Sequence, residues 1–207
     1  MRFRHLFAAL PILLTLASLG CSSTTNPAGG SSSDCTTNPI TPTCAPLDYS
    51  NLGSGTVSFK DDIFNPIIRS TCNTSACHGV TLQSSNGVYP AAGLYLGPTA
   101  TDTSTPVDAT LLAEITGELL APSHTAPSLS IVKPMDPANS FLMLKLTGCE
   151  NAQNLSCMLQ SSTIAEIKTD CGGPMPPSCE AQMSDLELTT AEIQTFARWI
   201  AQGAQNN

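Results

Sequence analysis

Apolar residues recur at helical spacing in four separate stretches of the chain, and long polar passages lie between them. The clearest stretch is the last, where Thr189 and Glu192 make a capping-box pattern and Gly203 follows the final apolar position. Leu188 precedes the cap and can pack against Ile193 as a hydrophobic staple. The apolar stripe comprises Ile193, Phe196, Ala197, Ile200 and Ala201. This pattern predicts a C-terminal amphipathic helix.

Three further helices are predicted earlier in the chain, each from an apolar face preceded by a capping or initiating residue. A brief extended piece is predicted over 93–96, where apolar residues alternate. The passage over 149–187 is expected to be irregular. The three helices and their apolar positions are: one capped by Asp61 or Asp62, with Pro66 in its first turn and Ile63, Phe64, Ile67 and Ile68; one over 107–120 after Thr105-Pro106, with Leu111, Leu112, Ile115 and Leu119; and one opened by Asp136-Pro137, with Phe141, Leu142, Leu144 and Leu146.

Composition divides the chain into four regions. Residues 1–20 carry two arginines followed by an apolar run, which is the pattern of a secretion signal. Ser, Thr, Asn, Pro and Gly dominate residues 21–57, and such a segment buries too little apolar surface to offset its chain entropy. We therefore expect a disordered tether there. Residues 58–205 are the predicted folded domain, and residues 206–207 are a short tail.

The signal ends in Ser18-Leu19-Gly20-Cys21, which resembles a bacterial lipoprotein cleavage box. Lipid on Cys21 would anchor the chain to a membrane, and an ordinary signal peptidase site nearby is the alternative. In both cases the protein is exported, so its cysteines meet an oxidising compartment. We expect it on the periplasmic or cell-surface side of a bacterial membrane.

Charge and composition argue against several classes of function. The formal net charge is -8 and there is no basic run, so phosphate neutralisation, and with it nucleic-acid binding, is not expected. No nucleophile elbow, paired-carboxylate motif or zinc-hydrolase spacing is present, so we do not expect an enzyme. The 16 prolines and 14 glycines predict long loops. We also expect the protein to be a monomer.

The most informative motif is Cys72-Asn73-Thr74-Ser75-Ala76-Cys77-His78. Two cysteines followed at once by a histidine can attach a c-type haem, because two thiols add to the vinyl groups and the imidazole reaches the iron. The gap between the cysteines is four residues instead of the usual two. The residues alone leave two alternatives open: a disulfide between Cys72 and Cys77, and a fragment of a zinc site.

The other cysteines suggest disulfides. If Cys21 carries lipid and the motif carries haem, six of the nine cysteines remain, which fits three disulfides. In the Pro- and Gly-rich passage after residue 148, sequential pairing is preferred, and a small loop closed in the tether is a further possibility. The predicted pairs are Cys149 with Cys157, Cys171 with Cys179, and Cys35 with Cys44.

The order of segments over residues 58–204 resembles exported haem c-binding lipoproteins of the cytochrome c type, found in myxobacteria and planctomycetes. That family runs from a helix into a Cys/Cys-His-Gly motif, then through three short segments to a final Trp-Ile-x-x-Gly-Ala helix. Met135 stands where the family usually has Gly. The matching pieces are Phe64 to Ile68, Cys72-Cys77-His78-Gly79, Gly93 to Leu96, Pro134-Met135-Asp136-Pro137 with Ser140 and Leu142, Met175-Pro176, and Trp199 to Ala204.

The resemblance implies a mainly α, cytochrome c-like small helical domain with long, disulfide-stapled loops. It also implies one covalent haem c, an electron-transfer function and an unidentified redox partner protein. The iron ligands would be His78 and Met175, whose loop is stiffened by flanking prolines. Met135 and His124 are reserve ligands, the first expected to pack and the second to be solvated. Trp199 would lie against the porphyrin edge or in the core.

A second functional class remains open. The chain fits a haem-free surface lipoprotein that is held together by disulfides and binds a partner or a glycan.

Overall fold

The computed structural model describes residues 44–74, 77–79, 90–160, 165–168, 171–176 and 188–207. The predicted signal and most of the predicted tether, with Cys21 and Cys35, lie outside these residues, as does Cys179. Within the described residues the regular structure is mainly helical, which confirms the fold class at that level. The longer elements are a π-helix Phe59–Cys72, α1 Ala109–Leu120, α2 Phe141–Leu146, α3 Thr190–Ala201, and the strands β1 Cys157–Gln160 and β2 Ala165–Lys168.

The π-helix delivers the chain to the cysteine motif, as predicted, but it begins earlier than expected. Ser58 is its N-cap, since the Ser58 hydroxyl accepts a hydrogen bond from the Asp61 amide (3.1 Å). The Asp62 carboxylate accepts from the Ser58 amide in return (2.8 Å). Pro66 therefore lies in the middle of the helix and not in its first turn. A proline has no N–H to donate and its ring crowds the preceding turn, and this helix is wound more widely than an α-helix.

The next helix, α1, buries most of its predicted apolar face, whereas α2 agrees only in part. Besides the predicted Phe141 and Leu144, α2 buries Met143 and Lys145. Asp108 caps α1, because its carboxylate accepts from the amides of Thr110 and Leu111. The Asp136-Pro137 pair opens a short 3-10 segment, Pro137–Asn139, and α2 begins only after Ser140. The predicted third helix is therefore two elements, since Ser140 has extended backbone between them.

The capping box at the start of α3 is present as predicted, with Thr189 and Glu192 bonding each other's backbone amides. Trp199 is 1 % exposed and stacks on Phe59 at 5.0 Å between ring centroids, so it belongs to the core. Ala201, expected in the apolar stripe, is exposed. The main core cluster thus joins the π-helix to α1, α3 and Met143 of α2.

Two disulfides differ from the predicted pairing. Cys44 is bonded to Cys149, and Cys157 to Cys171, so the sequential pairs and the small loop closed by Cys44 are wrong. A disulfide requires the two Cα atoms to lie roughly 4.4–6.8 Å apart in space, whatever their distance along the chain. The Cα atoms of Cys44 and Cys149 are 4.5 Å apart although the two residues are 105 positions apart. The two bonds indicate an oxidising compartment.

The disulfide at Cys44 corrects the expected boundary of the tether. Leu47, Tyr49 and Leu52 pack against the main core, so residues 44–57 belong to the folded body. A second, smaller cluster surrounds the disulfides and contains Ala126, Phe141, Leu144, Cys149, Cys157 and Cys171.

The passage over 149–187, expected to be irregular, contains β1 and β2, which pair antiparallel with Cys157 opposite Lys168. Alternation over four residues is too short a pattern to distinguish a strand from a loop. Among the helices of the described residues, none is both long and apolar enough to cross a membrane.

Candidate functional site

The cysteine motif forms a closed turn at the end of the π-helix. Cys72 is the last residue of that helix, and its carbonyl oxygen accepts a hydrogen bond from the His78 amide (3.1 Å). The carbonyl of Thr74 accepts from the amides of both Cys77 (3.0 Å) and Gly79 (3.2 Å). These bonds bring the two ends of the motif together despite its four-residue gap.

Gly79 closes the turn because it has no side chain. A Cβ at this position would lie 2.2 Å from the Asn73 carbonyl oxygen and 2.8 Å from Cγ2 of Thr99. The first neighbour is a backbone atom, so it cannot move aside without opening the turn. The glycine after the histidine is thus required by close packing.

The segment over 90–98 holds the motif in place. The sequence predicted both pieces but not their contact. Asn73 is fully buried, and its side-chain amide donates a hydrogen bond to the Pro98 carbonyl (3.2 Å). Four further hydrogen bonds join the two: Ala91 N to Cys77 O (2.8 Å), Leu96 N to His78 O (3.0 Å), Asn73 Nδ2 to Leu96 O (2.7 Å), and His78 Nδ1 to Leu94 O (2.8 Å).

The last of these bonds decides the state of the histidine. A carbonyl oxygen can only accept, so His78 Nδ1 carries the proton and Nε2 of the neutral ring has a free lone pair. His78 is 9 % exposed. Burial lowers the pKa of the His78 imidazole below its ordinary value, against the opposing effect of the hydrogen bond to Leu94. The imidazole is therefore neutral at pH 7, with one nitrogen oriented by the protein and the other suited to bind a metal.

The two cysteines of the motif differ in state. Cys72 is a free, half-buried thiol, and desolvation raises its pKa to about 12. It is therefore protonated at neutral pH and is not an activated nucleophile. Cys77 is disulfide-bonded, and its partner is a residue other than Cys72. The interpretation of Cys72 and Cys77 as a disulfide with each other is not supported.

Met175 lies in a segment that α2 holds in place. Its amide donates to the carbonyl oxygen of Lys145 (3.0 Å), and the Lys145 ammonium donates to the carbonyls of Cys171 (3.2 Å) and Gly173. The side chain of Met175 is partly exposed. Sequence reasoning did not select Lys145, because a lone lysine in an apolar helix pattern gives no signal of its role.

The two reserve ligands have different surroundings. His124 is exposed, as expected, and its Nδ1 donates to the Ala92 carbonyl (3.1 Å). Its ring lies against Gly93, where an added Cβ would be 3.0 Å from Nδ1. Met135 was expected to pack but is 78 % exposed, with a φ of 63°. A left-handed backbone conformation at this position favours glycine.

Metal ligands of the zinc type are not clustered in the described part of the chain, where no group of three or more His, Cys, Asp or Glu side chains is placed to hold an ion. The chain matches no protein-family model, no curated protein and no solved structure.

Proposed function

We propose that the protein is an exported electron carrier that binds one covalent haem c through Cys72, Cys77 and His78, with Met175 as the second axial ligand. The observation that carries the proposal is the state of His78. A buried, neutral imidazole whose Nδ1 donates to a backbone carbonyl is the arrangement that presents Nε2 to iron. It occurs directly after two cysteines, in the order that haem attachment needs.

The side chains of Cys72, Cys77, His78 and Met175 are chemically suited to hold a haem. When bound, the haem supplies a one-electron ferric/ferrous couple. His78 would hold the iron by Nε2, and the hydrogen bond from its Nδ1 to Leu94 keeps the ring oriented. Attachment adds each S–H across a vinyl double bond, so Cys77 must first be released from its disulfide by a thiol reductant. Cys72 already has the free thiol that the reaction requires.

Lipidation at Cys21 places the carrier at a bacterial membrane in this proposal, and an exported redox protein would be its partner. No substrate is transformed on the chain itself.

The test is to express the full chain with and without haem-maturation machinery and to measure its intact mass and pyridine haemochrome spectrum. One haem adduct that survives acid–acetone extraction is expected. Alanine at both Cys72 and Cys77 should remove the adduct, whereas alanine at both Cys157 and Cys171 should retain it. An unmodified mass from a maturation-competent host would refute the proposal.

A second function is favoured by one observation. Cys77 is disulfide-bonded, and further disulfides at Cys44 and Cys157 hold the chain. This fits a haem-free, disulfide-stabilised surface lipoprotein that acts as a binding module. In the same experiment it predicts an unmodified mass, with Cys77 found in a disulfide by peptide mapping without reduction.

A further inference from the structure

The side chain of Lys145 is buried in an unusual setting. Lys145 is 8 % exposed and lies on α2, and it forms an ion pair with Glu150, which is 1 % exposed. Nζ of Lys145 is 3.8 Å from Oε1 of Glu150. Removing two charges from water is costly, and apolar residues of similar volume often give equal or better stability. The ion pair therefore suggests a role that an apolar residue could not perform.

That role is visible in the hydrogen bonds of the neighbouring segment, residues 171–176. These residues form neither helix nor strand, so their backbone groups need partners from elsewhere. The ammonium of Lys145 donates to the carbonyls of Cys171 and Gly173, and the Lys145 carbonyl accepts from the Met175 amide. Both the side chain and the backbone of one residue thus hold the segment.

Asn151 completes this support. Its amide donates to the Gly172 carbonyl (3.1 Å), and its oxygen accepts from the Cys171 amide (2.7 Å). Gly172 has a φ of 79°, and glycine adopts this left-handed conformation at a lower energetic cost than other residues. The backbone of the segment that carries Met175 is consequently hydrogen-bonded to Lys145 or Asn151 at residues 171, 172, 173 and 175.

We propose that Lys145, with Glu150 as its counter-ion, is the positioning residue for Met175. It sets the backbone from which the thioether extends, and it would thereby control whether the sulfur reaches the haem iron. This inference rests on the proposed function for its redox consequence. Its structural content, that Lys145 orders residues 171–175, does not depend on haem.

The test compares Lys145→Met with Lys133→Met as the matched control. Lys133 forms an exposed pair with Asp136, so the control removes the same charge without touching the segment. In haem-free protein, amide exchange at Cys171 and Met175 should become roughly tenfold faster in Lys145→Met, since hydrogen bonds from a charged donor are worth this much. Exchange in α3 should not change. Lys145→Arg should restore most of the protection.

In haem-loaded protein, Lys145→Met should retain the haem mass adduct but lose the sulfur-to-iron absorption band, lower the reduction potential and admit carbon monoxide. Unchanged exchange at Met175, or an equal rise of exchange in α3, would overturn the proposal. If Lys145→Met does not fold, Glu150→Gln serves instead with the same expected exchange. A wild-type chain without haem would refute the proposed function, while the exchange measurement would still decide the role of Lys145.

Discussion

The sulfur atoms of Cys44 and Cys149 are bonded although the two residues are 105 positions apart in the chain. Cys44 belongs to the stretch whose composition predicted a tether, and Cys149 follows α2 and lies in the smaller core cluster. The bond therefore joins the start of the folded body to the segment that follows α2.

Removal of this disulfide should destabilise the protein more than removal of Cys157–Cys171, whose separation is 14. Replacing both Cys44 and Cys149 by alanine should lower the free energy of unfolding by about 4–5 kcal/mol, and the same change at Cys157 and Cys171 should lower it by about 3 kcal/mol, a difference of about 2 kcal/mol. Urea denaturation of the two double variants measures both values. Equal losses would contradict an effect of loop length on the unfolded chain.

Met175→Ala should leave the haem attached, because the thioether bonds involve other residues. It should abolish the sulfur-to-iron absorption band of the ferric form, lower the reduction potential and allow carbon monoxide to bind. Met135→Ala is the control, since Met135 is 78 % exposed. If Met175→Ala retained both band and potential, Met175 would be a packing residue and His124 would be tested next.

Gly79→Ala should open the turn after His78, because the new Cβ would lie 2.2 Å from the Asn73 carbonyl oxygen. We expect a loss of about 1–3 kcal/mol in the free energy of unfolding and reduced haem incorporation. Gly117→Ala is the matched control. Gly117 lies within α1 and an added Cβ there meets no heavy atom within 4 Å, so that variant should gain about 0.5–1 kcal/mol. Thermal unfolding of both variants tests the opposite signs.

Met135→Gly should stabilise the protein. Met135 follows Pro134 in a turn closed by the Asp136 amide and the Lys133 carbonyl (3.0 Å), and its φ is 63°. A side chain in this left-handed conformation costs about 1–2 kcal/mol, and the added freedom of glycine in the unfolded chain offsets part of the gain.

We therefore expect Met135→Gly to raise the free energy of unfolding by about 0.5–1 kcal/mol. Met135→Ala should change it by less than about 0.5 kcal/mol, because alanine retains the strain. A chemical denaturation series of the three proteins decides, and equal stability of the glycine and alanine variants would count against backbone strain at this position.

Local features of the fold were readable from the sequence because their causes are local. The capping box of Thr189 and Glu192 and the apolar face of α1 depend on residues three or four positions apart. The ends of the helices were predicted less accurately than their apolar faces. The π-helix starts at Phe59 because Ser58 competes successfully with Asp61 and Asp62 as its cap, and all three are good capping residues.

The pairing of distant groups was decided only by the tertiary structure. The sequence pointed to His78 as a ligand, but only the position of the Leu94 carbonyl determines which ring nitrogen carries the proton. Cysteine spacing favoured sequential disulfides, whereas the packing of α2 brings Cys149 next to Cys44. Likewise, the sequence does not distinguish Lys145 from any other helical lysine, and its role is visible only because the 171–176 segment packs against it in the structure. These relationships depend on which chain segments meet in space, and spacing along the sequence carries no record of that.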